Sequence, residues 1–235
     1  MSQINKKIGF LFLQGAGLQS SIWNNVLEKL PYPYLLIDSP QPKTNKKLTL
    51  DEYSMNIKQA VEKWEVEKIV IVAHSIGGVV ALKCANLMQD RVVGLIAIGA
   101  AIPKDGGSFL SIFPYPKSLL MHIILRLFGT KPPESAIRQG LCSDIPESKT
   151  KDIIDNFVVE SLHLYTDQTN VSSPNVSKMY VKLSEDKELD NVLQEKMIHN
   201  LNPDQIVELD TGHLPMISRS GELSGILLDF INKMD

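Results

Sequence analysis

Short apolar runs that alternate with amphipathic helical patterns predict an α/β protein. Its mostly parallel sheet should have about six strands, with helices on both faces. The strand candidates in the middle of the chain lack polar alternation, as strands covered on both faces do. The rhythm breaks once, over about residues 102–176, for longer than a loop allows. The expected division is a core of residues 1–101 and 177–235, with 102–176 inserted as a helical cap, or lid.

The elements follow in order. IGFLFL (8–13) reads as a buried strand, SIWNNVLEKL (21–30) as a helix and YLLID (34–38) as a second strand. TLDEYSMNIKQAVEKW (49–64) opens on a capping box, Thr49 with Glu52, and places Leu50, Tyr53, Ile57, Ala60, Val61 and Trp64 on one stripe. KIVIVAH (68–74) is a strand, IGGVVALKCANLM (76–88) a helix and VVGLIAIGA (92–100) another buried strand. Within the insertion, SLLMHIILRLF (118–128) puts Leu120, Ile123, Ile124, Leu127 and Phe128 on one face, expected to cover the core or a pocket. Strand KMYVKLS (178–184), helix KELDNVLQEKMIHNL (187–201), strand QIVELD (205–210) and helix GELSGILLDFINKM (221–234) complete the pattern. Strand twist makes the crossovers right-handed.

With 235 residues and 43% hydrophobic content, the chain can bury a substantial core. A net charge of −3 and scattered lysines, with only short runs such as Lys46-Lys47, argue against a nucleic-acid partner. Cys84 and Cys142 have no metal-ligand spacing and read as reduced thiols of a cytoplasmic protein. The opening MSQINKKIGFLFLQG lacks a small-residue cleavage site and reads as a strand rather than a signal peptide. The apolar stretch 109–129 is broken by Pro114, Pro116, Lys117, His122 and Arg126, so no membrane span is expected.

Ligands of open α/β sheets sit beyond the carboxyl ends of the strands. QGAGLQSS lies there after the first strand, HSIGG after the third, SEDKELD after the fifth and TGHLP after the sixth. VAHSIGG nearly matches G-x-S-x-G, the pattern of a nucleophile on a sharp strand-to-helix turn, with Ala73 in place of the first glycine. Such a turn needs small residues two before and two after Ser75, and Ala73 and Gly77 meet that need. Gly78 lets the next helix lie close to the sheet. A helix N-cap serine is the plainer alternative, but it needs no small residues on both sides.

A serine hydroxyl needs a base to become a nucleophile. His74 adjoins Ser75, His122 and His199 fall in helical patterns, and His163 lies in the insertion. His213, between Gly212 and Pro215, lies in a loop directly after a core strand and is the candidate base. Asp186 is the candidate acid that orients it, giving the chain order Ser, Asp, His; Glu185 and Asp190 could take the same part. Carboxylates there could instead serve the N-terminus of the following helix. The oxyanion donors are expected from the backbone N–H groups of Ile76 and Ala16, with Gly15 and Gly17 letting that loop approach closely. GAG is not a dinucleotide fingerprint. Ser20 stands where the third glycine belongs, and the second strand ends on Asp38 followed by Ser39-Pro40.

FLQGAGLQSSIWNNV, AHSIGG, SEDKELDNVLQEKMI and GHLPMISRSGELSGIL together resemble the α/β-hydrolase superfamily over nearly the whole chain. Within it, the chain is similar to the small esterase and hydroxynitrile-lyase group of plant methyl-ester hydrolases and bacterial relatives. LCSDIPESKTKDIIDNFVVES (141–161) resembles the caps of the bacterial members. Two departures stand out: Gln14-Gly15 where the family usually has His-Gly, and Ala73 for Gly. The lyases of the group carry Lys after the catalytic His and Thr at the position of Gly15; this chain has Leu214 and Gly15.

The resemblance therefore implies an α/β-hydrolase fold and a carboxylesterase that cleaves a small ester through an acyl-enzyme on Ser75. Leu214 and the apolar cap residues would line the substrate pocket. Cyanohydrin or carbon–carbon lysis on the same triad, or a hydrolase-fold small-molecule receptor, are the alternatives. No metal, cofactor, nucleic-acid or membrane partner is expected, and the chain would act as a monomer or homodimer.

Overall fold

β1 (Ile8–Leu13), β2 (Tyr34–Leu36), β3 (Lys68–His74), β4 (Val92–Ile98), β5 (Ser177–Leu183) and β6 (Gln205–Leu209) form one sheet in the computed structural model. Their order is β2-β1-β3-β4-β5-β6, and every neighbouring pair is parallel. Residues 8–38 and 48–234 are described; Ser39-Pro40, Lys46-Lys47 and the N-terminal lysines lie outside them. The reversal of strand order between β1 and β3 opens a crevice at the carboxyl edge, and Ser75 follows β3 there.

The central strands are apolar at nearly every position because both faces are covered. Leu11, Leu13, Ile69, Ile71, Leu95 and Ala97 face one cluster, with α2 (Leu50–Glu62), α3 (Gly77–Leu87) and α8 (Asn191–Leu201). Phe10, Phe12, Val70, Val72, Ile96 and Ile98 face the other, with α1 (Asn24–Leu27) and α10 (Ser220–Asn232). Each aliphatic side chain so buried contributes about 1.5–3 kcal/mol before entropy is set against it.

The expected helix at 21–30 is shorter and less regular: a 3-10 turn, Ser20–Trp23, followed by the single turn α1. Asn24 and Asn25 are weak helix formers, and Pro31 and Pro33 push the chain back to extended backbone. Trp23 anchors the segment, fully buried against Phe12 at 5.0 Å between ring centroids. α2 carries the capping box read from the sequence. Glu52 N donates to Thr49 Oγ1 at 3.2 Å, and Thr49 N donates to Glu52 Oε2 at 2.9 Å.

Between β4 and β5 run a 3-10 turn (Phe109–Ile112), α4 (Lys117–Phe128), α5 (Glu134–Gln139), α6 (Glu147–Asp155) and α7 (His163–Thr166). α4 corrects one expectation. The stripe of Leu120, Ile123, Ile124, Leu127 and Phe128 faces outward, with Leu127 70% and Phe128 80% exposed, while Met121 and Leu125 pack inward. The helix is apolar nearly all round, so periodicity alone does not choose its buried face. No helix among the described residues is long and apolar enough to cross a membrane. α9 (Pro215–Ser218) is the short turn leading into α10.

Two stability predictions follow from this packing. Thr49→Ala removes the α2 cap and should cost about 1 kcal/mol, a fall of roughly 2–4 °C in Tm by calorimetry. Leu120→Gln with Leu127→Gln should leave Tm within about 2 °C of wild type, because neither side chain is packed.

Candidate active site

Ser75 leaves β3 with φ 54°, a left-handed backbone that costs a non-glycine residue about 1–3 kcal/mol and persists only where its surroundings enforce it. The enforcement comes from both neighbouring strands. Ser75 N donates to Ile98 O at 3.3 Å, and Ser75 O accepts from Gly78 N at 3.1 Å and Ala101 N at 2.8 Å. A Cβ on Gly77 would stand 2.7 Å from Leu13 O, and one on Gly78 2.5 Å from Ala101 O, so neither glycine has room for a side chain. Ala73 is fully buried, in register with Leu13 and Ala97, and its methyl group is part of the core. The N-cap position of α3 falls on Ile76, so Ser75 is not the plain helix cap.

Past β6, His213 Nδ1 lies 2.7 Å from Asp186 Oδ2, with both side chains buried. The other Asp186 oxygen accepts from Glu188 N at 2.8 Å and Leu189 N at 3.0 Å. Burial works against ionisation of Asp186, yet the His213 charge and hydrogen bond, helped by these amides, hold its pKa below the ordinary value. Burial likewise opposes a charge on His213, and Asp186 outweighs it, so the imidazole pKa is raised. With Nδ1–H given to the carboxylate, Nε2 is the proton-accepting nitrogen.

The alternative acids have other places. Asp190 caps α8, accepting from Leu193 N at 2.9 Å, while Glu185 is exposed. α8 therefore begins at Asn191 rather than 187, because the Glu188 and Leu189 amides turn to Asp186 instead of opening a helix. Among the other histidines, His163 Nδ1 lies 2.9 Å from Asp167 Oδ1, and His122 and His199 lie on α4 and α8.

Ser75, Ile76, Gly15, Ala16 and His213 share the wall of a cavity of about 220 Å³. Most of the remaining lining is apolar and comes from the segment between β4 and β5, including Phe109, Phe113, Met121, Leu125 and Phe157. Gly17 has φ 79° and lies under the Phe157 ring, which a Cβ there would meet at 2.2 Å. Gln14 does not line this cavity. Its Nε2 donates to Ile37 O at 2.8 Å, and its buried Oε1 has no hydrogen-bond partner among the described residues. Leu214 is fully buried in the core cluster with Leu223 and Leu227, away from the cavity wall.

Three positioning residues escaped the sequence reading. His74, fully buried, has Nε2 2.7 Å from His213 O; a carbonyl only accepts, so Nε2 carries the hydrogen. Burial, reinforced by the nearby His213, pushes the His74 pKa down to about 3. Asp144 Oδ2 accepts from Gly212 N at 2.6 Å and Thr211 Oγ1 at 2.9 Å, fastening the loop before His213. Gln194 accepts from Leu183 N and donates to Leu183 O and Leu189 O, each at 2.8 Å, bracing the loop that carries Asp186. Gln194 was signalled by its place on the apolar stripe with Met197, Ile198 and Leu201; Asp144 had no comparable signal.

The model of the alpha/beta hydrolase family matches residues 10–225. A chloroplastic protein of Arabidopsis thaliana, provisionally called methylesterase 13, is 23% identical over 253 residues; the match covers 94% of this chain, which spans 55% of that protein's length. An extracellular alpha/beta-hydrolase from a Paenibacillus species has a TM-score of 0.82 at 15% identity, covering 94% of this chain and 98% of that one. A methylesterase protein from Arabidopsis has a TM-score of 0.75 at 20% identity, covering 96% of this chain and 99% of that one. These two structures share the fold, and the family match runs from β1 into α10, through every loop that meets at the cavity: the chain belongs to the alpha/beta hydrolase family.

Proposed function

We propose that this chain is a serine hydrolase that cleaves a small carboxylic ester through an acyl-enzyme on Ser75. The observation that carries the reading is Ser75, on a left-handed turn, sharing one cavity wall with a His213 already bonded to Asp186. The names of the relatives, methylesterases among them, support an ester as substrate.

In the proposed reaction, His213 Nε2 takes the Ser75 hydroxyl proton as Oγ attacks the ester carbonyl. The Ile76 and Ala16 N–H groups stabilise the oxyanion. The intermediate collapses, the bond to the alcohol oxygen breaks, and the imidazolium returns the proton to the leaving alcohol. Water then repeats the cycle on the acyl-enzyme and releases the acid. Residues 102–176 act as a cap whose apolar lining favours a hydrophobic acyl or alcohol group. Two buried cysteines outside any disulfide support a cytoplasmic setting.

Leu214 brings no cation to the cavity, so nothing at that position favours cyanide chemistry. A non-catalytic receptor would leave Ser75 inert, whereas a fluorophosphonate probe should label wild type and not Ser75→Ala. On short p-nitrophenyl esters, Ser75→Ala should lose about 10⁴-fold or more in kcat. Equal activity of the two proteins would overturn the reading.

The pH dependence follows from the sign of the shift. Catalysis needs neutral His213, whose pKa is raised, so kcat/KM should fall as pH drops through a midpoint above the ordinary imidazole value of about 6.5. Asp186→Asn removes the charge that opposes burial. It should lower kcat by about 10⁴-fold and move the acid limb to lower pH, read from the pH–rate profile.

A further inference from the structure

The cavity beside Ser75 is lopsided in charge. Its lining includes Glu188 and no lysine or arginine. Lys117 and Lys131 touch the rings of Phe113 and Phe157, at 4.8 and 5.7 Å from the centroids, but neither lysine lines the space. Glu188 is held in place by its own backbone, whose N–H donates to Asp186 Oδ1 at 2.8 Å. Its carboxylate lies against Gly140, at the end of α5, where a Cβ would come within 1.9 Å of Oε1. The absence of a side chain at Gly140 leaves the space that the carboxylate occupies. No basic side chain pairs with Glu188 among the described residues. Against the opposing effect of burial, the pKa of His213 is raised mainly by Asp186, and that of Tyr165 is raised mainly by burial; in both, the Glu188 charge adds a smaller push in the same direction from the shared cavity wall.

We infer that Glu188 is a specificity residue: it admits neutral and cationic esters to the cavity and disfavours esters that also carry a free carboxylate. The inference rests on the ester-hydrolase reading for its substrate, and on the lining alone for its charge preference. The same field acts on the product. Hydrolysis turns a neutral ester into a carboxylate beside Glu188, which repels it and assists release. Because Glu188 is itself exposed, water and salt screen this field, and a selectivity of about three- to fivefold is expected rather than an absolute bar.

The test compares wild type with Glu188→Gln on three esters of matched length: methyl hexanoate, monomethyl adipate and methyl 6-aminohexanoate. The readout is the kcat/KM ratio of each charged ester to the neutral one. Glu188→Gln should raise the adipate ratio about three- to fivefold at about 20 mM salt and lower the amino-ester ratio, with both differences shrinking at about 0.5 M salt. Unchanged ratios would overturn the inference. A second arm needs no turnover: hexanoate and hexanamide are titrated by ligand-observed NMR into Ser75→Ala, with and without Glu188→Gln. The hexanoate-to-hexanamide affinity ratio should rise by the same factor; no change, or no binding of either ligand, would overturn the charge selection. Failure of every ester to turn over, with this binding ratio shifted as expected, would instead remove the ester reading and leave the role of Glu188 standing.

Discussion

The left-handed backbone at Ser75 is the constraint on which the rest of the site depends, because three strands must be correctly placed to hold it. β1 presents Leu13 O to Gly77, β4 presents Ile98 O to Ser75 N, and the chain beyond β4 returns Ala101 N to Ser75 O. A β3 without β1 and β4 on either side would have no reason to end this way. The strand order is therefore part of the chemistry: the crevice at the β1/β3 reversal and the turn that fills it have one origin. Ala73 lies one step before this tight zone, within the sheet, where a methyl group is ordinary packing.

The proposed base and its acid are held by a different device. Asp186 and His213 stand on loops, which on their own would wander. Each loop is fixed by a side chain from elsewhere: buried Gln194 of α8 braces the Asp186 loop, solvent-exposed Asp144 grips the residues before His213, and buried His74 of β3 holds the His213 carbonyl. The Asp186 carboxylate is well satisfied, accepting three hydrogen bonds from His213, Glu188 and Leu189, whereas the buried Nδ1 of His74 has no partner among the described residues. Asp144 ties the segment between β4 and β5 to the loop that carries His213, so that segment fixes His213 as well as lining the cavity.

The sequence was most legible where one local rule dominated. β1 ends where its apolar run ends, β3 runs one residue further to His74, and the α2 capping box is visible in four residues. It was less legible where a tertiary contact competes with a local one. α8 starts late because Asp186 takes two amides that a helix would have used, which depends on Asp186 first being drawn to His213, 27 residues away. The buried face of α4 could not be chosen because its apolar residues surround the axis. Asp144 contacts Gly212 across 68 positions, and no period or motif links them. Gln14 shows the reverse difficulty. The family resemblance directed attention to the oxyanion loop, whereas its side chain reaches the Ile37 carbonyl just past β2.

The electrostatics of His213 are a balance of three carboxylates against burial. Asp186 raises its basicity strongly, and Glu188 and Asp144 add to that from farther away, while burial opposes all three. A base raised too far would be protonated at working pH, so burial keeps the carboxylates from making His213 a poorer base rather than a better one. His74 completes the arrangement. Its ring lies 4.6 Å from that of His213, and a charge there would oppose the imidazolium that the proposed mechanism forms on His213. Full burial keeps His74 neutral, with a pKa near 3, so the same ring can donate a hydrogen bond to the His213 carbonyl without competing for the charge. In the proposed mechanism, the residue directly before the nucleophile thus works on the base, and it does so only because the core keeps it uncharged.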